Sequence, residues 1–139
     1  MKKIIFIVAL CIGLSVSAQK KTTIPDAAKA SFTKSFPAAM EVKWAKEDAN
    51  YEVDFLLNGK KMSAEYDAKG MLIETELSVT ASELPAAVMP YVNQHYKGAA
   101  IKGMAKVTKP NGEINYELGI KGKDVMFDAK GKFLKEEKD

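Results

Sequence analysis

The chain has 139 residues, 47% hydrophobic and 28% charged, with a formal net charge of +3, enough for one domain or two small ones. All 21 basic residues are lysine, scattered among acids. This disfavours nucleic acid as a partner, whose recognition leans on the planar arginine fork, and the single cysteine, Cys11, excludes a disulfide framework.

The chain opens with Lys2 and Lys3, an apolar run from Ile4 to Leu14, and Val16-Ser17-Ala18. That is the pattern of a secretory signal cleaved after Ala18. An apolar run of about 11 residues falls short of the roughly 20 that a membrane span needs. Leu10, just before Cys11, does not suit a lipoprotein site. The expectation is that residues 1–18 are removed, leaving a periplasmic or secreted chain with no stable membrane insertion. Without cysteine, such a chain is held by its core alone or by a partner.

After a polar leader, Thr23 followed by Pro25 and Asp26 reads as a helix start. Ile24, Ala28, Phe32 and Phe36 form one apolar stripe, and Pro37 ends the helix. Strands follow. Val42 and Trp44 alternate with lysine and alanine, and Tyr51, Val53, Phe55 and Leu57 alternate with Glu52, Asp54 and Leu56. Asn58-Gly59 is a two-residue hairpin signal that pairs Phe55 with Met62, Val53 with Ala64 and Tyr51 with Tyr66. All six fall on one face, and a one-residue slip would break the agreement. Tyr66-Asp67-Ala68-Lys69-Gly70 then turns the chain into a fourth strand from Met71 to about Glu76.

The pattern restarts after a connector. Leu84, Val88, Val92 and Tyr96 repeat the first stripe, and Pro85 repeats Pro25. Pro90 departs from it, so the second helix is expected to bend or to begin there. Ile101 to Val107 reads as a strand, and Ile114, Tyr116, Leu118 and Ile120 as another. The Lys121-Gly122 hairpin pairs Tyr116 with Phe127, and Phe127-Asp128-Ala129-Lys130-Gly131 repeats the earlier turn. Both halves read α-β-β-β-β, so the fold class is α+β: antiparallel sheets with helices on one face. The expected division is 1–18 signal, 19–77 first unit and 78–139 second unit. One copy alone would be marginal, which favours packing of the two.

Catalytic chemistry finds no footing. His95 is the only histidine, and Ser63 and Ser82 have no evident base nearby. Metal-ligand spacing, a phosphate-cradling glycine loop and a nucleophile elbow are all missing from the sequence. Asp67 and Asp128 are explained by their turns, and neither stretch resembles a calcium loop.

The outward strand face is more informative. Glu52 lies opposite Glu65 with Asp54 adjacent, a mildly destabilising arrangement that Lys43 could neutralise. It could also hold a divalent cation or meet a basic partner. Leu56, Ile73, Met126 and Leu134 are expected on the same face, with Met104 a further candidate. They are either buried between the units or in a dimer, or scattered singly, or a protein-binding patch rimmed by Glu52, Asp54, Glu65 and Glu117.

The ordered set Leu84-Pro85-Ala86-Ala87-Val88, Tyr96, Tyr116-Glu117-Leu118 and Phe127 to Gly131 resembles the PepSY-like, β-lactamase-inhibitor-like family of exported bacterial proteins. The first half carries the same set in Ile24-Pro25, Phe36, Tyr51-Glu52-Val53 and Tyr66 to Gly70. Gln19, directly after the cleavage site, is similar to signal peptides of the Bacteroidota. The resemblance implies tandem helix-plus-four-strand units with an exposed concave sheet face available for binding, and it implies no reaction. The expectation is an exported, non-catalytic, inhibitor-like binding module for a protein or peptide of the cell envelope, with no cofactor. Its contact residues would be Glu52, Asp54, Leu56, Glu65, Ile73, Glu117, Met126 and Leu134. The alternative is a periplasmic protein that binds a small ligand or divalent cation.

Overall fold

Eight strands form one antiparallel sheet in strict chain order, and two helices pack on one side of it. This computed structural model describes residues 23–138; the expected signal segment and its cleavage site lie outside them. The elements are α1 (Asp26–Ser35), β1 (Met40–Glu47), β2 (Asn50–Leu57), β3 (Lys60–Tyr66) and β4 (Leu72–Ser78), then α2 (Val88–His95), β5 (Ile101–Thr108), β6 (Ile114–Ile120), β7 (Lys123–Asp128) and β8 (Phe133–Lys138). The α-β-β-β-β unit therefore occurs twice. Pairing of β4 with β5, from Thr75↔Thr108 to Ser78↔Ala105, merges the two units into one sheet.

The hairpins fix the register. Asn58 and Gly59 have φ of 52° and 77°, as do Lys121 and Gly122 at 54° and 69°. Both are two-residue turns with positive φ at each position, whose twist matches that of the flanking strands. Tyr51 pairs with Tyr66 and Tyr116 with Phe127, as the alternation requires. These residues face the helices. Phe32 of α1 packs edge-on against Phe55 with ring centroids 5.0 Å apart, and Tyr91 of α2 packs the same way on Phe127 at 5.5 Å. Such pairs add about 0.5–1.5 kcal/mol beyond their buried area.

The helix starts differ from the sequence reading. Thr23 does not cap α1; Pro25 occupies the capping position and no side chain serves it. The second stripe is kept although only Val88 and Val92 of it are helical, with Leu84 buried ahead of α2 and Tyr96 closing it. Pro90 is the third residue of α2. Backbone N–H groups of the first turn have no partner within the helix, so proline there costs no hydrogen bond and no kink is needed.

The repeated Asp-Ala-Lys-Gly turn is where sheet meets helix. Oδ1 of Asp67 accepts from the N–H of Lys69 and Met71 at 2.8 and 2.9 Å, and Oδ1 of Asp128 from Lys130 and Lys132 at the same distances. Gly70 has φ of +81°, and a Cβ there would lie 2.5 Å from the carbonyl oxygen of Ala27 in α1. Only glycine permits both the left-handed backbone and that approach.

Candidate functional site

The candidate site lies on the sheet face turned away from the helices. No helix packs there, since every connection but one is a tight turn and the long one carries α2 to the other side. Register places Glu52 opposite Glu65 and Glu65 opposite Glu74, three glutamates side by side on β2, β3 and β4. Glu76 lies one alternation further along β4, opposite Ser63. With Glu47 of β1 these residues line an open cleft of about 260 Å³.

In the second half, the same face carries Asn115, Glu117 and Asp124, all buried, beside the small or apolar Ala105 and Val107, which are also buried. Burial on both sides of β5 to β7 is what the inner side of a coiled sheet produces. Glu117 is fully buried, and neither of its carboxylate oxygens has a hydrogen-bond partner.

Electrostatics follow from this crowding. Burial pushes the Glu52 carboxyl up to about 7, reinforced by the neighbouring charge of Asp54 and opposed by a hydrogen bond from Ser63. Burial pushes Glu117 up to about 8, with Asp124 the strongest like charge and Glu74 next. Glu76 is raised well above the carboxylate range by burial and then by Glu117. Asp54 is raised by burial and held back by Lys43, directly opposite it on β1. Glu65 accepts a 2.7 Å hydrogen bond from Nδ2 of Asn50. At neutral pH the cleft therefore holds protons as well as charge.

Of the residues expected on this face, Glu52, Asp54, Leu56, Glu65, Glu117 and Met126 lie there by register. Ile73 and Leu134 do not take their expected places. A β-bulge follows the Asp-Ala-Lys-Gly turn in both halves, so Glu65 faces Glu74 instead of Ile73, and Met126 faces Lys135 instead of Leu134. The extra residue of a bulge is unpaired and breaks strict alternation. Met104 lies on the helix side, packed against the second core. The apolar residues of the outward face are scattered: Leu56 faces Lys61 on β3, whereas Met126 lies between Glu117 and Lys135 on β6 and β8. Sequence reasoning missed Glu74, Glu76 and Asp124. The alternation Glu74-Thr75-Glu76 was the available signal, unusable without the bulge.

Among the described residues, no group of three or more His, Cys, Asp or Glu side chains is placed to hold a metal ion. No helix among them is long and apolar enough to cross a membrane.

A tandem α-β-β-β-β sheet with an acid-lined outer face defines a scaffold class shared with solved bacterial proteins. The chain belongs to the family described as "Putative beta-lactamase-inhibitor-like, PepSY-like", matched over residues 15–73 and 49–135. A "putative periplasmic" protein of Bacteroides eggerthii is similar at 19% identity, over 84% of this chain and 90% of that one, with a TM-score of 0.73. A BLIP-like protein of Bacteroides fragilis is similar at 21% identity, over 85% and 89% of the two chains, with a TM-score of 0.66. At such identities the likeness is one of fold. No curated protein sequence matches the chain.

Proposed function

We propose that this protein is an exported, non-catalytic binding module that engages a protein or peptide of the cell envelope through the outer face of its sheet. The observation that carries this reading is the one-sided construction. Both helices cover one face, while the other face concentrates unneutralised acids that stability alone would disfavour. Export is supported by the signal-like start and by the "putative periplasmic" description of a similar protein. The inhibitor-like family description supports a protein partner over a reaction. The alternative of a divalent-cation protein lacks converging ligands among the described residues.

The test is affinity capture from periplasmic extract with the wild type, a double variant Leu56→Asp plus Met126→Asp on the outer face, and Lys29→Glu on α1. A partner retained by wild type and Lys29→Glu but lost by the double variant is the expected result. Identical partner sets for all three would remove the outer face from consideration.

A further inference from the structure

We propose that the acid-lined cleft on the outer face receives a cationic side chain, a lysine ammonium or arginine guanidinium, carried by the partner polypeptide. This rests on the binding-module reading and adds the chemistry of the contact.

Two independent observations support it. The cleft is lined by Glu47, Glu52, Glu65, Glu74, Glu76 and Ser63, with no lysine in its walls. The lysines that pair with acids do so elsewhere, as in Lys60–Glu83, Lys109–Glu113 and Lys123–Glu136. Separately, Glu117 is fully buried with both oxygens unpartnered, and the charges acting on it include Glu74 and Glu52 of the cleft wall. A buried carboxyl without a donor is costly to leave so. A side chain bringing several N–H donors from outside supplies what the fold does not.

The chemistry discriminates among cations. A bare divalent ion needs oxygens converging at about 2.0–2.6 Å, and the carboxylates do not group that way. They are spread over β1 to β6, which suits the larger ammonium or forked guanidinium. A cleft of about 260 Å³ takes one side chain, so affinity must also draw on the surrounding sheet face. That favours a polypeptide over a free polyamine.

Proton linkage gives a signature. Facing Glu117 are Glu74 and Glu76 from β4, Glu52 from β2, Asp124 from β7, and Glu137 from β8, the last paired with Lys135; β5 presents only Ala105 and Val107 between them. Raised carboxyls hold protons in the empty cleft. An entering cation favours their ionised form, so binding releases protons and tightens as pH rises.

The experiment measures binding of fluorescein-labelled hexaarginine to the mature protein by anisotropy at pH 6 and 8.5 in physiological salt. Spermine and Ca²⁺ serve as competitors. Expected are tighter binding at pH 8.5, weakening by about tenfold or more in Glu117→Gln and in Glu76→Gln, and no change in Asp26→Asn on the helix side. Neither competitor should displace the peptide at matched charge. Equal weakening in Asp26→Asn would reduce the effect to general charge attraction, and displacement by Ca²⁺ or spermine would assign the cleft to a small cation; either overturns the proposal. Should the capture experiment lose its partner with the outer-face variant while hexaarginine binding ignores Glu117 and Glu76, this inference fails and the binding-module reading stands.

Discussion

Glu76 of β4 and Glu117 of β6 belong to different halves of the chain, yet Glu117 is the strongest charge acting on Glu76. Only β5 separates their strands, and it presents Ala105 and Val107 on that side. Merging the two units into one sheet therefore gives the acids a joint environment that neither unit has alone.

This crowding predicts an unusual pH dependence of stability. Glu52 and Glu117 are raised to about 7 and about 8 from an ordinary 4.5, so between those values the folded protein holds protons that the unfolded chain releases. Their contribution is complete below about 4.5 and is lost as pH rises through 7 to 8. Asp128 acts with the opposite sign, since the backbone N–H of Lys132 foremost, with Lys130, holds its carboxyl below its usual range; its contribution is lost in acid. Calorimetry should show Tm highest near pH 5 and falling by at least about 5 °C by pH 9. Glu117→Gln should flatten the fall above pH 7. A Tm that rises from pH 5 to pH 9 would contradict the assignment.

Much of the fold was legible in the sequence because local chemistry and alternation agreed. Asn58-Gly59 and Lys121-Gly122 set the registers that bring Tyr51 to Tyr66 and Tyr116 to Phe127. The site was legible only up to the first irregularity. Ile73 and Leu134 were placed by counting in twos, and a bulge adds one residue whose presence no turn residue announces. That single residue exchanged an apolar patch for a row of glutamates. The burial of Glu117 depends on how the sheet coils, which alternation does not encode.

The two Asp-Ala-Lys-Gly turns should differ in their tolerance of alanine. At Gly131 the nearest atoms to an added Cβ are side-chain carbons of Pro85, Ala87 and Val88 at 3.0–3.2 Å, which can give slightly. At Gly70 the obstacle is backbone of α1 at 2.5 Å. Left-handed strain of about 1–2 kcal/mol is common to both, so Gly131→Ala should cost about that or slightly more and Gly70→Ala roughly 3 kcal/mol or more. Urea unfolding of the two variants checks the order; equal costs would mean that the turn and α1 are further apart than described.

Pro90 should be nearly dispensable. As the third residue of α2, it gives up an N–H that had no helical partner, and Pro90→Ala should shift stability by less than about 0.5 kcal/mol. Asn93→Pro, three residues on and exposed, removes an interior bond and should cost about 3 kcal/mol. Comparable losses from both would place the start of α2 earlier than Val88.

Glu65 tests whether the acidic row opposes stability. It lies between Glu52 and Glu74 on adjacent strands, and Asn50 donates its one hydrogen bond of 2.7 Å. Glu65→Lys forfeits that bond, worth about 1 kcal/mol, but converts two like-charge neighbours into two opposite-charge ones at about 0.2–1 kcal/mol each, gained twice over by removing repulsion and adding attraction. At pH 8.5, with Glu52 ionised, the variant should be more stable than wild type by about 1 kcal/mol in urea unfolding. At pH 5.5 Glu52 is protonated, so the advantage should shrink. The same variant should fail to bind hexaarginine at either pH. Gaining stability while losing the ligand would identify the row as kept for binding, whereas a variant less stable than wild type at both pH values would show that the glutamates support the fold and would withdraw that argument.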